Sequence, residues 1–441
     1  MSSIDDYSYI VQFIPFLRRW IGPLPGQAEA RAMSWMSIVA GIVLCGLSLF
    51  YGFRGETFMG RTLGGDFAGF YVTGKILNEY EPARIYDMDL EIRLQHQPDV
   101  GMEESQMLPF AQAPYIGQLF RPFAKLPYRW AYVVWLGFSL IFYLLGLRFL
   151  LLVAKLSPER AKTGFLLGLS CMAFVIETWI GGQLSVVGFF LIAAFVYCRS
   201  RDRELLAGFV LSLALYKITL VAIPAFMLLC GRRWRSVFGF SAGAGVVASL
   251  SLGMVGLDGC TAWFHRLGFF RYLATGPLGA LRRTKYLDAG SFFHILLGNT
   301  SFAHVLGMTV GAVGVAILAV LWWRAGAWSA DAKDQLWAAT ICGSLVCNVY
   351  SPIYDTTLVC VAVALIAGGI QRRSDEDREA FQAWILLLYM VPWLTQSSAE
   401  FLRFQPLTLV LSGFAYWAVR LAARSSAARR FPVRRASTSL A

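Results

Sequence analysis

Residues 205–230 read LLAGFVLSLALYKITLVAIPAFMLLC, an apolar run in which Lys217 is the one charged side chain. About 20 apolar residues suffice for one helix to cross a bilayer core, so this run is long enough to be membrane-embedded. Basic residues bound it on both sides, at 199–203 and at 232–235. A single crossing would place these basic boundaries on opposite sides of the membrane, although basic loops prefer the cytoplasmic side. We therefore predict a broken hairpin with Lys217 near its turn, lining a cavity.

The composition extends this prediction to the whole chain. Of 441 residues, 57% are hydrophobic and 15% are charged, and the mean hydropathy is +0.56. Soluble domains carry about 25% charged residues. Apolar stretches recur almost to the C-terminus, which predicts an all-α polytopic membrane protein with about 11–12 passes and a long helical first outer loop. Besides the hairpin, the predicted spans are 33–51, 130–153, 164–180, 184–198, 235–255, 303–323, 336–349, 356–370, 381–395 and 406–423.

Charge sets the predicted topology. The net charge of +12 suggests nucleic-acid binding, but the basic residues cluster in short segments between apolar runs, as in cytoplasmic loops. We expect residues 1–32 to be a cytoplasmic segment without a cleavable signal peptide, with an amphipathic stretch at 10–24. Residues 33–423 are expected to form one transmembrane domain, and 424–441 a basic cytoplasmic tail. Outer loops then fall at 53–129 and 256–302, facing out of an inner (plasma) membrane.

Cysteine usage bears on metal and redox chemistry. The chain has eight cysteines, seven of them in or beside apolar runs, and no C-x-x-C spacing. We therefore expect no metal site and no disulfide framework. The sequence also shows no glycine-rich nucleotide loop and no Asp-x-Asp metal pair in a cytosolic domain, and we expect no cofactor.

Polar residues of unusual placement collect on the predicted outer side. Asp66 follows two glycines in the first outer loop, and Asp355 ends the turn Ser351-Pro352-Ile353-Tyr354-Asp355. Each has a plain structural alternative, because either carboxylate can cap a helix N-terminus. Lys217 can snorkel to the interface, although ionisable groups at membrane depth are functional candidates by default. The basic, aromatic loop 263–294 can anchor at the interface or bind a lipid phosphate.

Five segments, in this order, carry a family resemblance. They are Asp66 with Phe67, Tyr71, Gly74 and Leu77; Pro114-Tyr115, Pro122 and Leu126-Pro127-Tyr128 with Trp135; Gly182-Gln183-Leu184-Ser185; Ala207-Gly208 and Leu213–Lys217 with Arg232-Arg233-Trp234-Arg235; and Ser351-Pro352 with Tyr354-Asp355 and Leu358. Together they resemble glycosyltransferase family 87, polyprenol-phosphate-sugar-dependent enzymes of the GT-C structural class that include mannosyltransferases. The chain departs from the family pattern at a single proline in the return segment, at Ser185 and after Lys217, which leaves the sugar and acceptor open.

The resemblance implies a mechanism. A sugar, mannose in the first instance, would pass from a polyprenyl phosphate to an acceptor hydroxyl on a glycolipid or glycan, on the outer face and with inversion. Asp66 would be the general base. The residues implied to bind the donor phosphate are Lys217, Arg266, Arg271, Arg282, Arg283 and His294. The sugar and acceptor pocket would include Tyr71, Lys75, Gln183, Tyr354 and Asp355.

Other functions remain open from the sequence alone. A transporter or lipid-sugar flippase would also place a broken helix and an ionisable group at the midplane, although no second matching half is visible. The same architecture could instead use an arabinosyl or glucosyl lipid donor, or have lost catalysis.

Overall fold

The computed structural model describes residues 24–58, 62–103, 106–275 and 283–427, with side chains over the same ranges except 270–275 and 427. Within them the chain is helical, and the β-type pairing is an isolated bridge between Tyr286 and Pro352. This confirms the predicted all-α fold. The α-helices are α1 Gln27–Phe53, α2 Phe67–Glu79, α3 Met88–Gln95, α4 Tyr128–Ala154, α5 Pro158–Leu169, α6 Ser185–Ser200, α7 Glu204–Ser212, α8 Ile218–Cys230, α9 Trp234–Thr275, α10 Ala289–Leu297, α11 Ser301–Arg324, α12 Ala330–Cys347, α13 Val359–Ile370, α14 Asp375–Phe401 and α15 Pro406–Ala427.

Six helical stretches of the described residues are long and apolar enough to cross a bilayer. A π-helix, Ala173–Ile180, follows α5 at an angle of 46°, and the two together make a seventh stretch. The six are Gln27–Phe53, Tyr128–Ala154, Trp234–Phe269, Ser301–Ala327, Ile353–Ile370 and Pro406–Ser426. The protein is therefore a multi-pass membrane protein. The predicted total of about 11–12 passes needs α6, both arms of the hairpin, α12 and α14 to cross as well, and it stays a prediction.

The hairpin at 205–230 has the predicted break. α7 continues as a 3₁₀ turn to Tyr216, Lys217 is extended (φ −131°, ψ 95°), and α8 begins at the next residue. One continuous helix would separate Glu204 from Arg233 by about 40 Å. Instead their side chains form an ion pair at 3.5 Å. Both ends of the segment therefore lie together, and Lys217 lies at the far end of the hairpin.

The charged residues of several helices meet at this same end of the bundle, which we call the basic end. Four further ion pairs join helix termini there, and they are Arg31–Glu159, Arg199–Asp334, Arg372–Asp331 and Arg424–Asp377. The grouping agrees with the sign pattern read from the sequence. Residues 10–23 of the predicted amphipathic segment 10–24 lie outside the described residues, as do residues 428–441 of the basic tail.

Both predicted outer loops contain helices. In the first, α2 and α3 are helical, and Asp87 caps α3 by accepting a hydrogen bond from the Leu90 amide at 3.1 Å. In the second, the predicted span ends at 255. Instead α9 continues to Thr275, interrupted at Gly256, whose φ of 68° is in the left-handed region that glycine tolerates. Residues 258–266, predicted to lie in an outer loop, therefore belong to a helix.

Candidate active site

Two glycine turns meet back to back at the end of the bundle opposite the basic end. Gly64 (φ 80°) precedes Asp66, and Gly182 (φ 67°) precedes Gln183. A Cβ on Gly182 would lie 2.2 Å from the carbonyl oxygen of Gly64, so only glycine fits there. The amide of Asp66 also donates to the carbonyl of Gly181 at 3.2 Å. These contacts fix the backbone of Asp66 against the segment that carries Gln183.

Aromatic residues hold the Asp66 turn from the other side. Phe67 is fully buried, and its ring lies 5.8 Å from Tyr128, 5.8 Å from Tyr132 and 5.6 Å from Trp135. The Tyr128 hydroxyl donates to the carbonyl of Leu63 at 2.5 Å, one residue before the turn. All three partner rings belong to α4, so this membrane helix fixes the position of the Asp66 turn along the bundle.

Asp66 occupies the N-cap position of α2, yet its side chain makes no capping hydrogen bond. The capping alternative is therefore wrong. Instead the amide nitrogen of Gln183 donates to the Asp66 carboxylate. Gln183, placed by sequence in the sugar pocket, thus contacts the candidate base directly.

Lys217 faces Asp355 rather than the bilayer. Its ammonium lies 2.5 Å from a carboxylate oxygen of Asp355 and 4.7 Å from the ring centre of Tyr354. The Asp355 side chain is buried and that of Lys217 is 15% exposed. The second carboxylate oxygen of Asp355 is buried without a hydrogen-bond partner among the described residues. Snorkelling and helix capping are both wrong here, because the two groups bind each other inside the bundle.

Asp66 and the Lys217–Asp355 pair lie within electrostatic range of each other. Asp66 interacts electrostatically with Lys217 and with three tyrosines, Tyr286, Tyr350 and Tyr354. The rings of Tyr286 and Tyr350 lie 4.8 Å apart. We name this group the Asp66–Lys217 site: Asp66, Gln183, Lys217, Tyr286, Tyr350, Tyr354 and Asp355.

The sequence did not single out Tyr286 or Tyr350. Each neighbours a segment that it did single out, the basic loop and the Ser351-Pro352 turn. These two segments are in contact in the structure. The Leu287 amide donates to the Ser351 carbonyl at 2.8 Å, beside the Tyr286–Pro352 bridge. That pairing is long-range, and no local pattern predicts it.

The basic loop contributes a second cationic group. Burial lowers the pKa of Arg283, and its Nε is buried with no hydrogen-bond partner among the described residues. Burial lowers the pKa of His294 too, and Arg283 acts on it in the same direction. Asp288 lies close enough to offset part of the Arg283 charge. Arg283 therefore remains a candidate anion ligand beside Tyr286.

Other predicted residues lie elsewhere. The Tyr71 hydroxyl donates to the Leu126 carbonyl at 2.8 Å, and burial raises its pKa to about 12. Lys75 binds Gln97 at 2.9 Å and Asp99 at 3.3 Å, toward the C-terminal end of α2. The side chains of Arg271 and Arg282 lie outside the described residues. Among the described residues, no group of three or more His, Cys, Asp or Glu side chains could hold a metal ion.

Arg266, predicted to bind phosphate, instead joins two parts of the predicted outer side. Its guanidinium lies 2.8 Å from the Glu91 carboxylate and donates to the Tyr86 carbonyl at 2.6 Å. Burial raises the pKa of Glu91 to about 7, while Arg266 acts in the opposite direction. We therefore place Arg266 in a buried ion pair that fixes α3 against α9, outside the Asp66–Lys217 site.

Removing one partner of this pair should be more harmful than removing both. We expect Arg266→Met to lower stability by about 3–5 kcal/mol, because it leaves Glu91 buried without its cation. Arg266→Met combined with Glu91→Leu should recover most of that loss. Thermal unfolding in detergent measures both. Equal stability of the single and double variants would contradict the pairing.

The glycine contact gives a sharper test of the turn geometry. Gly182→Ala adds a Cβ 2.2 Å from the Gly64 oxygen at a positive φ, so we expect lower thermal stability and a strong loss of activity. Gly101→Ala is the matched control, because Gly101 also has a positive φ (69°) but only the Pro98 oxygen nearby, at 3.8 Å. The control should show only the strain of the left-handed backbone, about 1–3 kcal/mol. Similar behaviour of the two variants would contradict the close approach of the turns.

The family model for glycosyltransferase family 87 matches residues 111–352, more than half of the chain. The matched region includes Gln183, Lys217 and Tyr350, whereas Asp66 and Asp355 lie outside it. No curated protein and no solved structure matches the chain.

Proposed function

The chain belongs to glycosyltransferase family 87 and is a membrane glycosyltransferase, and we propose that it transfers a hexose, mannose in the first instance, from a polyprenyl-phosphate donor to an acceptor hydroxyl. The observation that carries this proposal is the juxtaposition of Asp66 with Lys217 at a helix break inside an apolar bundle. The reaction needs a carboxylate to accept the proton of the acceptor hydroxyl and a cation to stabilise the departing phosphate. Asp66 and Lys217 are suited to these two roles. The family assignment favours a transferase over a transporter.

We assign Asp66 the role of general base. The acceptor hydroxyl must lose its proton as its oxygen attacks the anomeric carbon, and a positioned carboxylate can accept it. Two contacts support this role, since the hydrogen bond from Gln183 orients the carboxylate and the bond from the Asp66 amide to Gly181 fixes the backbone. Attack from the face opposite the leaving group gives inversion.

Lys217 is assigned to the leaving group. As the bond between the anomeric carbon and the phosphate oxygen breaks, negative charge grows on the phosphate, and a fixed cation in a water-poor site stabilises it strongly. Asp355 holds Lys217 in place before the donor binds. Arg283 and His294 are further candidates, supported by the unpartnered Nε of Arg283. The side chains of Arg271 and Arg282 stay candidates from sequence.

The remaining residues of the site suit a sugar. Tyr286, Tyr350 and Tyr354 offer aromatic faces and hydroxyls around Asp66, and the unpartnered oxygen of Asp355 can accept a hydrogen bond from a sugar hydroxyl. Since the basic end is expected to be cytoplasmic, we propose that the site faces the extracytoplasmic side of an inner (plasma) membrane. There a lipid-linked donor is dissolved in the bilayer, and the acceptor is a glycolipid or glycan.

A donor panel tests this function. Purified enzyme in liposomes is given radiolabelled mannosyl, glucosyl and arabinosyl polyprenyl phosphates, with the matching nucleotide sugars as controls. We expect transfer from one lipid-linked donor and none from nucleotide sugars, with the anomeric configuration inverted in the product. Transfer from a nucleotide sugar alone, or movement of the lipid-linked sugar across the bilayer without transfer, would overturn the proposal.

A further inference from the structure

A mostly apolar cavity of about 300 Å³ lies between α4, α5, α13 and α14, and Thr356 at one end of it follows Asp355 of the Asp66–Lys217 site in sequence. Leucine, valine, isoleucine and alanine supply about half of its lining residues, and Cys171 and Met172 line it just after α5. Along α14 it extends from Arg378 to Pro392, which is about 21 Å of helix. One leaflet of the hydrocarbon core is about 15 Å thick, so the cavity is long enough for one lipid chain.

The polar lining residues are unevenly distributed. The charged residues among its described walls are Arg160 and Arg378, both positive and both at the basic end. Gln27 and Gln371 lie at that end too. At the other end the Thr356 hydroxyl donates to the Ile353 carbonyl. A ligand with an apolar chain and an anionic head would therefore bind with its head at the basic end.

The two arginines are available to such a head group. Arg160 is exposed and has no hydrogen bond or ion pair with any described residue. Arg378 pairs with Asp375, whose side chain is 86% exposed. An exposed pair of this kind contributes little stability, so exchange of Asp375 for a phosphate is easy.

We propose that this cavity binds one anionic phospholipid, with its phosphate between Arg160 and Arg378 and an acyl chain along α14. Basic pockets between membrane helices are suited to anionic head groups, because each nearby cation attracts the head and the apolar walls bury the chain. The bound lipid fills the space between α5 and α14 and supports the fold there. It is distinct from the donor, whose phosphate is assigned to the opposite end of the bundle.

Lipid binding to the purified full-length protein tests the proposal. Native mass spectrometry with phosphatidylglycerol and phosphatidylcholine should show one tightly bound phosphatidylglycerol, preferred about thirtyfold, which corresponds to about 1 kcal/mol for each arginine. Arg160→Gln with Arg378→Gln should abolish the preference. Arg201→Gln, an exposed arginine outside the cavity walls, is the control and should keep it.

A cavity-filling variant tests the chain position separately. Gly164 lines the cavity, and a Cβ there would meet only the Leu156 Cδ1 at 4.0 Å, so Gly164→Phe can fill the space without backbone strain. It should displace the lipid, while Gly137→Phe, with nothing within 4 Å of its Cβ, should not. Equal binding of the two lipids, unchanged binding to Gly164→Phe, or displacement of the lipid by polyprenyl phosphate would overturn the proposal.

Discussion

Replacing Asp66 with asparagine is expected to lower the rate of sugar transfer by about a hundred- to ten-thousand-fold, the usual contribution of a positioned general base. The substitution keeps the size and hydrogen-bonding capacity of the side chain, so Gln183 can still contact it. It removes only the ability to take up the acceptor proton. The measurement is the initial rate with the lipid-linked donor identified in the panel, at saturating acceptor. The Michaelis constant for the donor should change little, because Asp66 is assigned to the acceptor proton.

The control lies in the same predicted outer loop. Asp89 is exposed on α3, and Asp89→Asn should keep the wild-type rate. Both proteins should insert into membranes and unfold at the wild-type temperature, since Asp66 makes no capping hydrogen bond that asparagine would lose. A well-folded Asp66→Asn protein with full activity would remove Asp66 from the mechanism.

The positions of the membrane helices could be predicted from sequence because they depend on local composition. Predicted spans such as 130–153 and 303–323 match α4 and α11 within a few residues. The hairpin required one further argument, the sign of the charges at its two ends. The Glu204–Arg233 ion pair now joins those ends directly. Hydropathy alone gives one long span there, and Lys217 would then lie in its middle.

The site was only partly predictable for a different reason. Asp66, Gln183, Lys217 and Asp355 come from four distant segments, and the family resemblance gave their identities. It did not give their partners. Gln183 binds the candidate base, and Lys217 is paired with Asp355, because turns far apart in sequence meet at one end of the bundle. Arg266 shows the opposite outcome, since nothing in the local sequence of the basic loop indicates that Glu91 is its partner across a helix interface.

The Lys217–Asp355 pair gives the second large expected effect. Lys217→Met should reduce both stability and activity. It leaves Asp355 buried without its cation, which should lower the free energy of unfolding by about 3–5 kcal/mol. Loss of the cation that faces the departing phosphate should lower the rate by a further hundred- to thousand-fold, about the loss seen when one such stabilising group is removed. A single variant cannot separate these two effects, since a poorly folded enzyme is also inactive.

Two companion variants separate them. Asp355→Asn keeps the Lys217 cation, and Lys217→Met with Asp355→Asn removes both charges. We expect the double variant to recover most of the thermal stability lost in Lys217→Met, because no buried charge is left unpaired. Its rate should nevertheless stay about a hundredfold or more below that of Asp355→Asn, which still carries the cation. If instead the double variant and Asp355→Asn transfer sugar equally fast, Lys217 serves only to neutralise Asp355, and the cation facing the donor phosphate must be sought at Arg283.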